Sequence, residues 1–498
     1  MPEWIVPASF LGLLSEFAPV FTAPSFESFR VVVTGWVHAL GKHRISDVLR
    51  AASSVASKHY GSYYRFLSEG RWSLDELGLV LLSLVLRVLR VDEVELVLDD
   101  TLSRRKGKKV ALAGMHADPV LRQGGRPFHS YGHVFVVLAA HVTASKLAST
   151  GWALPFMFRL FEGRWRGGRA DAPSDKKRAA SRRRRGADKR RRVRKTDRKL
   201  VRGQVVECEA RRDNGPLPDD VRPTKLQLAA EMVLLVARRF PHIRFRVLGD
   251  HLYNGRSLVH EVMSQLDNVH FVVRGHGNAA LYELPPPPEP GRRGRPRTRG
   301  ERLPTPEAWA RRKSTRFRKV EVEMYGKRVR LEVASLVGMA YRTLPGRLVR
   351  YVVVRDPRGV YETQYLMTTD TELEPAEVVA AYARRWPLEQ TFRDAKQKLG
   401  MQDPETQLPA SVRRAAPMAM LTYSLVVLWY LTDGHRQAQR MRTQRDPWYD
   451  KTARPSFGDM LATLRRAGWR RGFLDPARRR TKRSKMLEAF LDEVVAAA

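Results

Sequence analysis

Apolar residues recur at mixed three- and four-residue spacing through residues 1–88, in LGLLSEF, SFESFRVVVTGWVHAL and ISDVLRAASSVASKHYGSYYRFLSEGRW, which predicts a run of helices. Behind Asp75 and Glu76, the stretch LGLVLLSLVLRVLR predicts a strongly apolar helix. The period then changes. Glu95-Leu-Val-Leu98 is a short strand-like run that stops at Asp99, Asp100 and Thr101, and HVFVVLAAHV (133–142) and ALPFMFRLFEG (153–163) are further strand-like runs. Thr224–Phe240 reads as a long helix, RFRVLGD (244–250) as a strand ending in an acid, GRSLVHEVMSQL as a short helix and VHFVVRG (269–275) as a strand. Strands followed by alternating strand and helix describe a mixed α/β sheet, in which acids at strand C-terminal ends stand where such sheets place their sites.

Two segments interrupt this pattern. Lys176–Lys199 is almost entirely cationic and predicts a solvated arm; Pro285–Pro306 is rich in Pro, Gly and Arg. Residues 315–370 alternate as strands do, with turns at YGK and DPRG, and predict a small β-rich insertion. The remainder is helical. The expected organisation is a helical N-terminal region (1–88), the first part of a catalytic core (89–284) with a basic loop at 164–222, a linker and β-rich insertion (285–372), helices completing the core (373–435) and a helical C-terminal region (436–498).

Composition sharpens the partner. Across 498 residues, 90 Lys+Arg against 52 Asp+Glu leave a net charge of +38, which points to a polyanion, with nucleic acid the default and a membrane surface the weaker choice. An ordinary hydrophobic fraction, 43%, allows a sizeable core. The longest apolar run, Ala416–Thr432, is short for a membrane span and contains Thr422, Tyr423 and Ser424, so a buried core helix is expected. The start lacks the pattern of a secretory leader, and lone Cys208 excludes a disulfide framework or zinc ribbon; the chain reads as cytoplasmic. His129, His133 and His141 lack acids or cysteines at ligand spacing and read as structural. No phosphate-cradling G-x-x-x-x-G-K-[ST] motif occurs, so no nucleotide cofactor is expected. Arg295, within RGRPR at 293–297, belongs either to a minor-groove hook or to a flexible linker. Lys58, His59, Tyr60, Tyr63, Tyr64 and Arg65 form either a DNA seat or an aromatic packing seam.

The chemistry concentrates in AYARRWPLEQTFRDAK, where Tyr382, Arg385, Glu389 and Lys396 have the spacing Y-x2-R-x3-E-x6-K. On one continuous helix these four would share a stripe. Pro387 disfavours helical backbone at Trp386, so the helix carrying Glu389 and Lys396 is expected to start near Pro387, with Tyr382 and Arg385 on an adjoining turn. Glu389 joins Asp99 and Asp250 as three carboxylates drawn from a helix and two strands. Hard oxygen ligands from several elements suit two Mg²⁺ ions, or Mn²⁺, rather than Zn²⁺, for in-line attack on phosphorus.

Together with LVLDDT at 96–101 and VLGDHLYNG at 247–255, the stretch Tyr382–Lys396 resembles bacterial insertion-sequence transposases of the DDE superfamily, in the branch marked by a Y-R-E-K signature. The likeness spans roughly residues 90–430. It implies a ribonuclease-H-like core with an inserted β-rich subdomain, two metal ions, and cut-and-paste transposition of double-stranded DNA, transposon ends and target, by a homodimer on paired transposon ends. Carried over residue by residue, Glu389 and Asp250 are the third and second metal ligands. Asp99 is favoured over Asp100 as the first, by the pattern of Asp, any residue, then Thr or Ser. Tyr382, Arg385 and Lys396 would hold DNA backbone, and Arg274 resembles a further DNA contact. Trp386 either stacks on a base or packs in the core. Two rival readings share these residues: a ribonuclease-H-like DNA nuclease without strand transfer, and a non-catalytic DNA-binding protein derived from a transposase.

Overall fold

A computed structural model describes residues 5–107, 110–123, 126–143, 151–163, 222–287, 296–440 and 455–474. The cationic arm at 176–199, Cys208 and Arg295 lie outside the described residues.

The N-terminal helices are α1 (Ala8–Ser15), α2 (Ala23–His38), α3 (Ile45–Ala51), α4 (Tyr60–Ser68) and α5 (Leu74–Leu89). Ser73 caps α5 through the backbone N–H groups of Asp75 and Glu76, so these acids serve the helix start, where negative charge is favoured. β1 (Glu93–Arg104), β2 (Gly114–Gln123), β3 (Arg126–Val142) and β4 (Trp152–Phe161) follow; then α6 (Lys225–Arg239), β5 (Arg244–Gly249), α7 (Arg256–Met263) and β6 (Val269–Arg274). Next come α8 (Pro306–Ala310) and strands β7 (Arg318–Met324), β8 (Lys327–Gly338), β9 (Val349–Arg355) and β10 (Gln364–Thr368). The chain continues through α9 (Pro375–Ala383), α10 (Trp386–Lys398), α11 (Pro409–Trp429), α12 (His435–Arg440) and α13 (Phe457–Leu474).

Among the described residues ten strands join one mixed sheet in the order β2-β3-β1-β5-β6-β10-β9-β8-β7, with β4 also paired to β3. β1 lies antiparallel to β3 and parallel to β5, and β5 is parallel to β6. One sequence expectation changes here. The strand expected to stop at Leu98 runs on to Arg104, because β3 keeps pairing with it beyond the point where β5 ends. The strands of the β-rich segment at 315–370 extend the main sheet, since β10 pairs antiparallel with β6. Alternation alone reports which strands have two faces, not which sheet they join. On edge strand β7, Lys319, Glu321 and Glu323 face out opposite Glu332, Arg330 and Arg328 of β8, a charged edge that discourages further pairing.

The core continues from the sheet into the helices. Trp36 of α2 donates to the Leu399 carbonyl at 3.1 Å, and Phe10 of α1 meets Trp429 edge-on at 6.3 Å, so the N-terminal helices pack on the rest of the chain. The continuous helix Pro409–Ala438, which begins with α11, is long and apolar enough to cross a membrane by length and composition, yet 89% of its most apolar window is buried, the packing of a core helix.

Candidate active site

β1 pairs with β5 in parallel up to Leu98 opposite Gly249, so Asp99 and Asp250 are the residues that immediately follow the last pair. Asp99 therefore stands at the end of the parallel ladder and in the middle of its own strand. Asp250 accepts from the Leu252 N–H at 2.8 Å and starts a short 3-10 turn that takes the chain away from the sheet.

Strand alternation sends Asp99 and Asp100 to opposite faces. Asp100 receives Lys225 of α6 at 2.7 Å and the Tyr253 hydroxyl at 3.2 Å. Asp99 meets Arg385 instead: Nη1 lies 2.9 Å from its Oδ2, while Nη2 of the same guanidinium lies 2.5 Å from Glu389 Oε1. One cation thus spans acids carried by β1 and α10. Burial pushes the Asp99 carboxyl up to about 7; Arg385 opposes the shift, and the nearby Asp100 and Asp250 add to it. Burial works against the charge of Arg385, but Asp99, Tyr382 and Glu389 together hold its proton more firmly than usual. The site is a concentration of negative charge in a low-dielectric setting, with an arginine as its counter-ion.

The helix start near Pro387 is present, but Trp386 is itself the first helical residue and Arg384 and Arg385 keep right-handed helical backbone, so the interruption lies at 384–385. α9 ends at Ala383, Arg385 is the last residue before α10, and Pro387 occupies the first turn, where its missing N–H is harmless. Tyr382 lies under Arg385, with the guanidinium 5.9 Å from its ring centre, and the charge of Arg274 at the end of β6 reaches its phenol. Burial raises the Tyr382 pKa above its ordinary value. Trp386 is 40% exposed and packs edge-on against Tyr325 at 5.5 Å, outside the core. Lys396 is placed further along α10, about 10 Å from Glu389 by helical rise. Burial first, then Arg104, bring its pKa down to about 8, against the pull of Asp118. Its charged neighbours are therefore the Arg104–Asp118 pair, which closes at 2.7 Å.

Several residues here escaped the sequence reading. Tyr325, at the β7–β8 turn, has φ +53 beside Gly326 at +75, a turn shape that favours Asn-Gly, and it hangs over Trp386. Glu95 lies on the Asp99 face of β1, and an acid four residues before another in an apolar strand was a legible signal. The aromatic cluster before Trp72 divides: Tyr63 is buried, while Tyr60 and Tyr64 remain exposed. His133 donates from Nε2 to the Ala111 carbonyl at 2.8 Å, and His141 sits 3.4 Å from Glu95, which are structural placements.

The carboxylates suit hard divalent cations by donor type, and Asp99 and Glu389 already share one cation. Among the described residues, however, no group of three acid, histidine or cysteine side chains is gathered closely enough to hold an ion.

No curated protein matches the sequence. Among solved structures, the piggyBac transposase in a synaptic complex with hairpin DNA aligns with TM-score 0.36 and 10% identity, covering 99% of this chain and 81% of that one. The family model described as DDE superfamily endonuclease matches residues 16–329, a span that includes Asp99 and Asp250 and stops before Glu389. The match extends over more than half of the sequence, and the chain belongs to the DDE superfamily endonucleases.

Proposed function

We propose that this protein is a DNA transposase that cleaves at transposon ends and joins the freed 3′ end to target DNA, acting as a homodimer on paired ends. The observation that carries the reading is the Arg385 guanidinium spanning Asp99 and Glu389, with Asp250 close enough to shift the Asp99 carboxyl. The run β4-β3-β1-β5-β6, antiparallel on one side of β1 and parallel on the other, supports a ribonuclease-H-like core around these acids.

Asp99, Asp250 and Glu389 are the acids that would hold two Mg²⁺ or Mn²⁺ ions, once Arg385 gives up Asp99 and Glu389 and the three draw together. When bound, such ions activate a water or a 3′-hydroxyl and neutralise charge building on the phosphate oxygens. The chain's own groups do the rest. Arg385 leaves the acids and turns to the scissile phosphate, where its fork suits two oxygens at once. Tyr382, beneath it, offers a hydroxyl, and Arg274 adds charge at the end of β6. Lys396 reaches backbone further along the DNA. Trp386 and Tyr325 together wall one side of the entrance.

Strand-transfer assays with pre-cleaved ends test the claim. Joined product is expected in Mg²⁺ or Mn²⁺; cleavage without any joining would leave a nuclease and remove the transposase. Binding retained by Glu389→Gln with no activity lost would instead support a non-catalytic DNA-binding protein.

A further inference from the structure

Arg384 and Arg385 are neighbours in sequence, yet they grip different acids of β1. Arg384 closes a bidentate pair with Glu95, Nε to Oε2 at 2.6 Å and Nη2 to Oε1 at 2.6 Å. Glu95 and Asp99 lie on one face of the strand, four residues or about 13 Å apart. The two guanidinium groups therefore diverge from a single turn and attach it to β1 at two points.

Glu95 is also the centre of a larger ionic cluster. Its side chain is 12% exposed, with Arg246 of β5 at 3.5 Å and His141 of β3 at 3.4 Å. Arg246 in turn meets Glu93 at 2.5 Å, and Glu377 of α9 lies 3.7 Å from Arg246 and 3.9 Å from Arg384. Glu95, on β1, thus has partners on β3 and β5 besides Arg384. The turn has its own backbone hydrogen bonds, from the Arg384 N–H to the Ala380 and Ala381 carbonyls and from the Arg385 N–H to the Tyr382 carbonyl, but α10 begins without a side-chain cap, and Arg385, at the capping position, directs its guanidinium to the acids.

We propose that Glu95 and Arg384 are positioning residues, a clip that sets the α9–α10 turn against β1 so that Arg385 and Glu389 face Asp99. They touch neither DNA nor metal. A bidentate pair is suited to this task because two parallel hydrogen bonds fix direction as well as distance. The role assigned to the facing acids rests on the proposed function; the clip's geometry does not.

Two measurements on the full chain test the clip. The first is Mn²⁺ binding without DNA, followed by titration calorimetry, for wild type, Glu95→Gln and Val33→Ala, the last a core-destabilised control in α2. About tenfold weaker binding in Glu95→Gln, with Val33→Ala unchanged, is expected, a loss of about 1.4 kcal/mol. Equal affinity in all three overturns the proposal, as does an equal loss in both variants. The second is a metal-free urea cycle combining Glu95→Gln with Glu389→Gln. A clip that orients Arg385 makes the two midpoint shifts non-additive; additivity overturns the proposal whatever the ion does. Should Glu95→Gln fail to fold, Arg384→Lys replaces it, keeping the charge and losing the fork. If wild type binds no Mn²⁺, the metal reading fails and the cycle alone decides the clip.

Discussion

The Asp99 carboxyl, pushed up to about 7, sets how the site responds to acid. Its folded-state pKa lies above the ordinary carboxylate value, so the metal-free protein binds this proton more tightly than the unfolded chain does. Asp99 therefore adds stability as pH falls from about 7 toward the ordinary carboxylate range, and withdraws it as pH rises through 7. Cation binding needs the carboxylate, which reverses the trend for affinity. Calorimetry in buffers of different ionisation enthalpy is expected to show about one proton released per Asp99 at about pH 6 and almost none at about pH 8.5. Release that does not change with pH would count against Asp99 as a ligand. The two neighbouring acids should also separate by mutation. Asp99→Asn is expected to lower DNA cleavage about a thousandfold or more. Asp100→Asn, which removes a partner from Lys225 and Tyr253, is expected to keep activity and lose about 1–3 kcal/mol of stability in urea melts.

Elements meet here through close backbone contacts that the residue pattern does not announce. Gly78 sits inside α5, where a Cβ would come 2.0 Å from the Phe156 carbonyl oxygen of β4. Alanine there gains about 1 kcal/mol of helix propensity. It also forces the helix off the strand, an overpacking that costs about 1–3 kcal/mol. Gly78→Ala is expected to lower the urea midpoint despite the better helix former; a raised midpoint would show that α5 can shift freely. The same limit explains which elements could be read in advance. Pro387 acts on its own backbone, so the break before α10 was legible. The extension of β1 to Arg104 depends on β3, a partner more than twenty residues away, and no local rule reports it.

At the scale of the whole molecule, charge dominates. A net +38 in a family of endonucleases predicts nucleic-acid binding that weakens steeply with salt, as each neutralised phosphate releases condensed counter-ions. Deleting residues 176–199 is expected to flatten the slope of log affinity against log salt in a fluorescence-anisotropy titration and to leave cleavage at low salt in place. An unchanged slope would assign that arm to solubility. The sheet's size has its own consequence: the β-rich segment, joined through β10, places the Tyr325 turn beside Trp386 and near Arg385 and Glu389.

The sequence by itself determined the charge, the acids at 99, 250 and 389, the helix start at Pro387 and the mixed α/β character. These follow from composition and from rules that act over a few residues. Tertiary structure decided which of Asp99 and Asp100 faces α10, that Arg385 bridges two acids, that Lys396 lies with Arg104 and Asp118, and that Glu95 meets Arg384. Each of these depends on strand register and on which helix covers which face. Arg385 and Asp99 stand 286 residues apart, and pairing across that distance is settled by the packing of the whole sheet.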